Sequence, residues 1–312
     1  MKLASKFLGK LFVQQWIIGI ARCNIRDIVM EKQLSADIKW LRIDQPERFY
    51  ADPFILPSNN GSEYIILAED LSFSENYGKI SALSLDKDLN NAGTKVLLDT
   101  GSHLSYPFVF EENGRTYIIP ESSKAGKASC YEYDAHTGNL VFLKDIIEEP
   151  LLDSTIIKYK GKYWLFGSQK IKDLHYKLNI YFSDSLFGPY KAHSANPVRT
   201  GRDGIRPAGN FFEADGEIYR PAQNNKRGYG DSISLNKLKV LNEDQFEEEF
   251  YCTLAIKKNT KGNKGIRAIH TINAVNGIIV VDGLLWRFSL NTKIKQSLAK
   301  ARSFVNRMVL FL

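Results

Sequence analysis

Five short segments of the chain carry side chains that could move a proton or grip an anion. They read Tyr50-Ala51-Asp52-Pro53-Phe54, Ser105-Tyr106-Pro107-Phe108, Leu152-Asp153-Ser154-Thr155, Arg206-Pro207-Ala208-Gly209-Asn210 and Ile269-His270-Thr271-Ile272-Asn273. Aligned on the prolines, Asp52, Tyr106, Asp153, Arg206 and His270 fall at about equivalent positions. Paired carboxylates suit proton transfer, and a guanidinium suits the oxygens of an anionic group. Gathered in one place, two carboxylates, an arginine, a histidine and a tyrosine make a small polar pocket. Each also has a structural alternative. An Asp before Pro is an Asx-turn device, an arginine neutralises buried acids, and a lone histidine on an apolar strand is a satisfied core residue. Tyr50, Tyr106 and Tyr219 pack as readily as they stack on a ligand. His103, His136, His175 and His193 lack ligand spacing and are assigned no role.

The elements that must position these residues announce themselves by repetition. Asn60-Gly61, Asn113-Gly114, Lys160-Gly161, Asp215-Gly216 and Asn276-Gly277 each separate two apolar runs, and their glycines are 53, 47, 55 and 61 residues apart. Asn-Gly and Asp-Gly accept the positive φ angles of a two-residue hairpin. Further alternating runs follow, such as Lys79–Leu85, Ala128–Tyr133, Leu178–Phe182 and Ser232–Leu235. About four strands per repeat is the size of a propeller blade. The sequence therefore predicts an all-β, five-bladed β-propeller, with a β-sandwich as the alternative that leaves the period unexplained. The five segments above are then the innermost strands, lining a central channel, although strand alternation could turn some of these side chains into sheet interfaces. Blade five runs out after Ile278–Val281, and Trp16–Ala21 with Ile38–Leu41 are expected to close the ring from the N-terminus.

Charge and composition narrow the function. The segments 1–26 and 285–312 hold 5 and 6 of the 42 Lys and Arg residues and no acid, so 31 basic residues face 35 acidic ones elsewhere. A nucleic-acid-binding body carries its own basic groove; this one does not. Three cysteines without CxxC spacing offer neither a disulfide framework nor a zinc site. No apolar run is long enough for a spanning helix, and no dinucleotide, P-loop, DxD or HExxH pattern occurs. No cofactor is called for, and a divalent cation in the channel stays open.

The order FYADPF, LSYPFVFEENGRTYIIPES, SDSLFGPY, RPAGNFFEADGEIYRPAQN and HTIN with VVDG resembles the N-terminal domain of glucosamine inositolphosphorylceramide transferase and its bacterial relatives. The resemblance covers roughly residues 15–284. A looser one, resting on Asp52-Pro53 and Ser185–Tyr190, is to glycoside hydrolase family 43 and the invertase and levansucrase group. That group implies a first-blade Asp as base or nucleophile, which maps to Asp52. Its second-blade Asp is absent, because position 106 is Tyr. Asp153 becomes the candidate second acid, with Glu121 or Glu69, at the ends of second strands, as a third. Such a set suits glycosidic chemistry, in which one carboxyl activates the incoming oxygen and another protonates the leaving one. Arg206 and Arg220 would hold an anionic donor group, and His270 would donate to a sugar hydroxyl or phosphate.

The expectation is a glycosyltransferase-type enzyme in cell-surface polysaccharide or lipid-linked glycan assembly, using a glycan or activated sugar. The alternatives are a non-catalytic glycan-binding scaffold for a partner glycosyltransferase, or a glycoside hydrolase. Three regions are expected: a basic segment 1–36 contributing to ring closure, the propeller at 37–284, and a basic amphipathic helical tail at 285–312. In the tail Ile294, Leu298, Ala301, Val305, Met308 and Leu312 form one stripe, with Phe304 and Phe311 on or near it. Lys2, Lys6 and Lys10, interleaved with Leu3, Phe7 and Leu11, repeat the pattern. Docking on the propeller or on a partner is the alternative to a membrane surface. Gln14-Gln15 and Arg22 fit a secretion signal poorly, so the expected location is the cytoplasmic face of the membrane, as a peripheral protein.

Overall fold

Every hairpin repeat becomes a sheet. The computed structural model describes residues 12–41, 47–56, 64–257 and 262–309, with side chains to Ala299. The Asn60-Gly61 turn, the Lys2–Leu11 pattern and the stripe side chains beyond Leu298 lie outside the described residues. Blade one is Arg48–Leu56, Tyr64–Ser72, Tyr77–Leu85 and Asn91–Leu98, in chain order from the axis outwards. Blade two repeats this with Ser105–Glu112, Arg115–Glu121, Ala128–Asp134 and Asn139–Ile147. Blade three runs Leu152–Tyr159, Lys162–Lys172, His175–Ser183 and Lys191–Ala192, with Arg199–Gly201 also on its third strand. In blade four the inner position is split between Asp203–Pro207 and Phe212–Ala214, both paired with Glu217–Asn224; Ser232–Leu241 and Phe246–Leu254 follow.

Blade five is built from both ends of the propeller. Ile272–Val275 and Ile278–Phe288 are its inner strands, and Phe12–Arg22 pairs antiparallel along the whole second strand, from Phe12 opposite Phe288 to Arg22 opposite Ile278. Lys39–Trp40 adds the outer strand. This closure seals an edge that would otherwise present unpaired backbone groups. A short helix, α1 (Ile25–Glu31), links the two N-terminal strands; Asn24 caps it by accepting from the Arg26 N–H at 2.9 Å. The second helix, α2 (Leu290–Val309), follows blade five.

The four described hairpin turns share one backbone. Asn113-Gly114, Lys160-Gly161, Asp215-Gly216 and Asn276-Gly277 all have both φ angles between +48° and +79°, the geometry that matches the twist of the flanking strands. The hydrophobic core is a ring of clusters between neighbouring blades. Phe54, Leu67, Phe108, Ile118, Ile156 and Leu165 join blades one to three. Ile18, Ile20, Ile55, Ile66 and Val280 join blades five and one. With the blades fixed face to face, the inner strands are rigid mounts for whatever points at the axis.

Candidate active site

In blades one to three the inner strand carries a bulge. Ala51 pairs with Glu69 but Phe54 with Leu67; Ser105 with Glu121 but Phe108 with Ile119; Leu152 with Ser168 but Thr155 with Phe166. The extra residue includes Asp52, Tyr106 or Asp153, whose φ angles are +50°, +41° and +55°. A side chain in this left-handed region costs roughly 1–2 kcal/mol, so the surroundings must hold it there. They do: the Asp52 N–H donates to Asp282 Oδ2 at 3.1 Å, and Asp52 Oδ1 accepts from Thr271 Oγ1 at 2.7 Å. Blade four slips further, from Asp203 opposite Asn224 to Pro207 opposite Ala222, which brings Arg206 to Asp153.

The axis is laced by hydrogen bonds. Tyr106 is fully buried; its hydroxyl lies 2.8 Å from Thr155 Oγ1 and accepts from the Gly209 N–H at 2.8 Å, joining blades two, three and four. Asn273 donates to the Pro53 carbonyl at 2.8 Å and accepts from the Asn210 N–H at 2.7 Å. On one side of this lacing lies a polar cavity of about 340 Å³, walled by Asp52, Glu69, Glu121, Arg206, His270, His103, Ser105, Lys124, Trp16, Phe49 and Tyr229 among others. That is within the roughly 300–1,000 Å³ of small-molecule sites. On the other side lies a hollow of about 350 Å³, with Ile55, Phe108, Phe110, Ile156, Phe211 and Val275 as its apolar wall and Glu111, Lys158 and Glu213 also lining it.

Four candidates from the sequence share the polar cavity with Asp52: Glu69, Glu121, Arg206 and His270. Burial pushes Glu69 well above the ordinary carboxylate range, and Asp52 and Glu121 push it further. Asp52 is also raised by burial, but His270, the Thr271 hydroxyl and Arg206 pull against that. Asp282 raises Asp52 as well, so both carboxyls favour the protonated form, Glu69 the more strongly. Glu121 is fixed by Ser105 Oγ at 2.9 Å and Ser123 Oγ at 2.6 Å. Asp153 sits behind Arg206 in a bidentate pair, Nε to Oδ2 at 2.6 Å and Nη2 to Oδ1 at 2.8 Å. Burial raises Asp153 to about 6 against the pull of Arg206, so the pair is ionised at neutral pH.

His270 stacks on Trp16 at 4.0 Å with 10° between the planes and meets the edge of Tyr229 at 5.4 Å. Its Nε2 lies 3.7 Å from Asp52 Oδ1 and its Nδ1 lies against the Asp282 carboxylate. Burial disfavours its charge, yet Asp282 and Asp52 together raise it above its ordinary pKa. Asp52, His270 and Asp282 present ligand atoms within 4.8 Å of one another, the geometry of a possible cation site among the described residues. The Asp282 carboxylate is already committed to three backbone donors: its Oδ1 accepts the His270 and Thr271 N–H groups at 2.9 and 3.0 Å, and its Oδ2 accepts that of Asp52.

Three expected ligand contacts stand elsewhere. Arg220 is buried against Glu248, at 2.8 Å from Nε to Oε2 and 2.6 Å from Nη2 to Oε1, and donates to the Gly204 carbonyl; Arg199 holds the same carboxylate. Its guanidinium is turned to Glu248 on the outer strand of blade four, and it lines neither cavity. Tyr50 packs between blades one and five rather than in the cavity. Tyr106 spends its hydroxyl on the axial lacing and lines neither cavity.

Residues 37–283 match the family described as glucosamine inositolphosphorylceramide transferase 1, N-terminal. The chain belongs to that family. It is 34% identical over 233 residues to glucosamine inositolphosphorylceramide transferase 1 of Arabidopsis thaliana, and 32% identical over 234 residues to the protein of that name from Oryza sativa subsp. japonica. Each alignment takes in 72% of this chain but only 30% and 31% of those relatives. Among solved structures, Zg3597, a family 117 glycoside hydrolase of Zobellia galactanivorans, superposes with a TM-score of 0.55 at 15% identity, over 90% of this chain and 92% of that one. The GH43 BlXynB protein of Bacillus licheniformis superposes at 0.47 with 14% identity, over 64% and 42%. The first of these likenesses is one of fold.

For this member of the glucosamine inositolphosphorylceramide transferase family, inspection of the sequence missed Trp16, His103, Tyr229 and Asp282 as site residues. Trp16 was visible only as part of a closing strand, and its partner His270 is distant in the chain. His103 lacks any ligand spacing, yet its Nδ1 accepts from the Gly78 N–H at 2.9 Å and its Nε2 faces Glu69 Oε1 at 3.7 Å. A ring tautomer set by a backbone donor has no signature in spacing. Asp282 stood inside the VVDG segment but faces the axis only because blade five pairs its second strand with Thr271.

Proposed function

We propose that the polar cavity is a glycosyl-transfer site in cell-surface polysaccharide or lipid-linked glycan assembly. Asp52 takes the proton of the acceptor hydroxyl as that oxygen bonds to the anomeric carbon. The bond from the anomeric carbon to the leaving oxygen breaks, and Glu69 gives its proton to that oxygen. Glu121 and Arg206 bind sugar hydroxyls, and Lys124 at the wall suits an anionic part of the donor. The observation that carries this reading is that Asp52 and Glu69 line one cavity, where burial raises both and Glu69 the more strongly, an asymmetry of the kind that divides acid and base between two carboxyls. Asp153, expected as the second acid, serves instead as the counter-ion that fixes Arg206. Family membership supports transfer.

The test is incorporation of labelled sugar into glycan by membranes carrying the protein with Asp52→Asn or Glu69→Gln. Each substitution is expected to lower the rate by about 10²–10⁴-fold. Undiminished synthesis with unchanged sugar binding in both variants would favour the scaffold reading, which the self-contained hydrogen bonding of Asp52 also suits. Release of the aglycone from aryl glycosides by purified protein would make water the acceptor and the enzyme a hydrolase.

A further inference from the structure

Helix α2 packs on the propeller the wrong way round for a soluble protein. Ser289 caps it by accepting from the Thr292 N–H at 3.3 Å, and Lys295 ties it down through a 2.6 Å contact with Glu47. The face turned inwards carries small residues, with Thr292 1% and Ala299 7% exposed. The face turned outwards carries Leu290, Ile294 and Leu298, which are 56%, 53% and 56% exposed. These three recur at intervals of four and form one stripe. Trp286 and Phe288, at the end of the preceding strand, are 42% and 62% exposed, and both touch the Phe12 ring. Contiguous exposed apolar surface of this kind marks an interaction site.

The charge around the stripe says what covers it. No acidic residue follows Asp282, whereas six Lys and Arg residues do. Among the described residues Arg287 and Lys293 border the stripe and Lys295 is paired with Glu47; an apolar stripe bordered mainly by cations complements an anionic bilayer, where aliphatic and aromatic groups sink below headgroups that the cations contact. We propose that the outer face of α2, with Trp286 and Phe288, docks on an anionic lipid bilayer. The position of the helix gives the docking a use. Lys293 and Gln296 border an aromatic cleft of about 410 Å³, which shares Trp16, Phe49 and Tyr229 with the carboxylate cavity. A docked helix therefore sets the mouth of that cavity beside the lipid headgroups. This inference stands on the helix surface and not on the chemistry inside the cavity.

Flotation of the purified full chain with phosphatidylglycerol–phosphatidylcholine vesicles tests it, with pure phosphatidylcholine vesicles as the comparison. The protein is expected to float with the anionic vesicles, less so at high salt. Ile294→Glu and Leu298→Glu should each weaken partitioning by about tenfold or more, as loss of a buried aliphatic side chain implies, while thermal melting and sugar binding stay unchanged because both positions face outwards. Absence of flotation overturns the proposal. So does flotation that the two substitutions leave intact. A wild-type chain that dimerises in solution, loses the dimer on Leu298→Glu and ignores vesicles would assign the stripe to a second copy instead.

Discussion

Glu69 lies in a place that favours its proton. Burial, Asp52 and Glu121 all raise its proton affinity, and Arg206 opposes them. The unfolded chain releases this proton at about pH 4.3, whereas the native protein retains it to higher pH. Between those points the native state binds more protons than the unfolded one, so stability declines as pH rises. Asp52 and His270, both raised in the folded protein, act in the same direction. Glu69→Gln is therefore expected to gain stability relative to the wild type as pH is raised from about 5 to about 8. Thermal melts of both proteins across that range check it; a gap that stays constant with pH contradicts the assignment of Glu69 as the held acid. The same residue shows what a sequence can give. Its position at the end of a second strand made it a candidate, but which of Glu69, Glu121 and Asp153 keeps a free role depends on Arg206. That arginine reaches Asp153 through a register slip in blade four that no local pattern announces.

Two kinds of left-handed turn organise the strands, and they respond differently to a methyl group. At the hairpin tip Gly114 has φ +73° and open space where a Cβ would stand. Gly114→Ala should then cost only the conformational term, about 1–2 kcal/mol. Gly209 has φ +135°, and a Cβ there would lie 1.9 Å from the Ile272 carbonyl oxygen. Gly209→Ala must move the backbone that laces blades four and five, and a loss of more than about 4 kcal/mol is expected. Urea unfolding of the pair gives the order; equal losses would mean that the lacing contributes little. The hairpins were readable because Asn-Gly and Asp-Gly encode their own φ angles. The bulges at Asp52, Tyr106 and Asp153 went unforeseen, although alignment on proline set these residues side by side, since their backbone is imposed by partners such as Asp282 rather than by the residue itself. Helix α1 went unforeseen, being seven residues long and specified mainly by its Asn24 cap.

At the level of the ring, the Phe12–Arg22 strand does two jobs. It completes blade five and carries Trp16 into the wall of the polar cavity. Removing residues 1–24 should expose the edge of Ile278–Phe288 and cause the chain to aggregate, visible by size-exclusion chromatography with light scattering. A monomeric, cooperatively melting truncated chain would show that the seal is dispensable. The five-fold plan and its N-terminal closure followed from the period of the glycines and the missing strands of blade five. The cation–carboxylate pairing inside it did not, because it arises between blades. The phenol of Tyr106, tied to Thr155 and Gly209, stands between the acidic chamber and the phenylalanine-walled hollow beneath it. The centre of the molecule is consequently a cup with a stopper and not a bore. A molecule that enters the chamber therefore leaves by the doorway it came in.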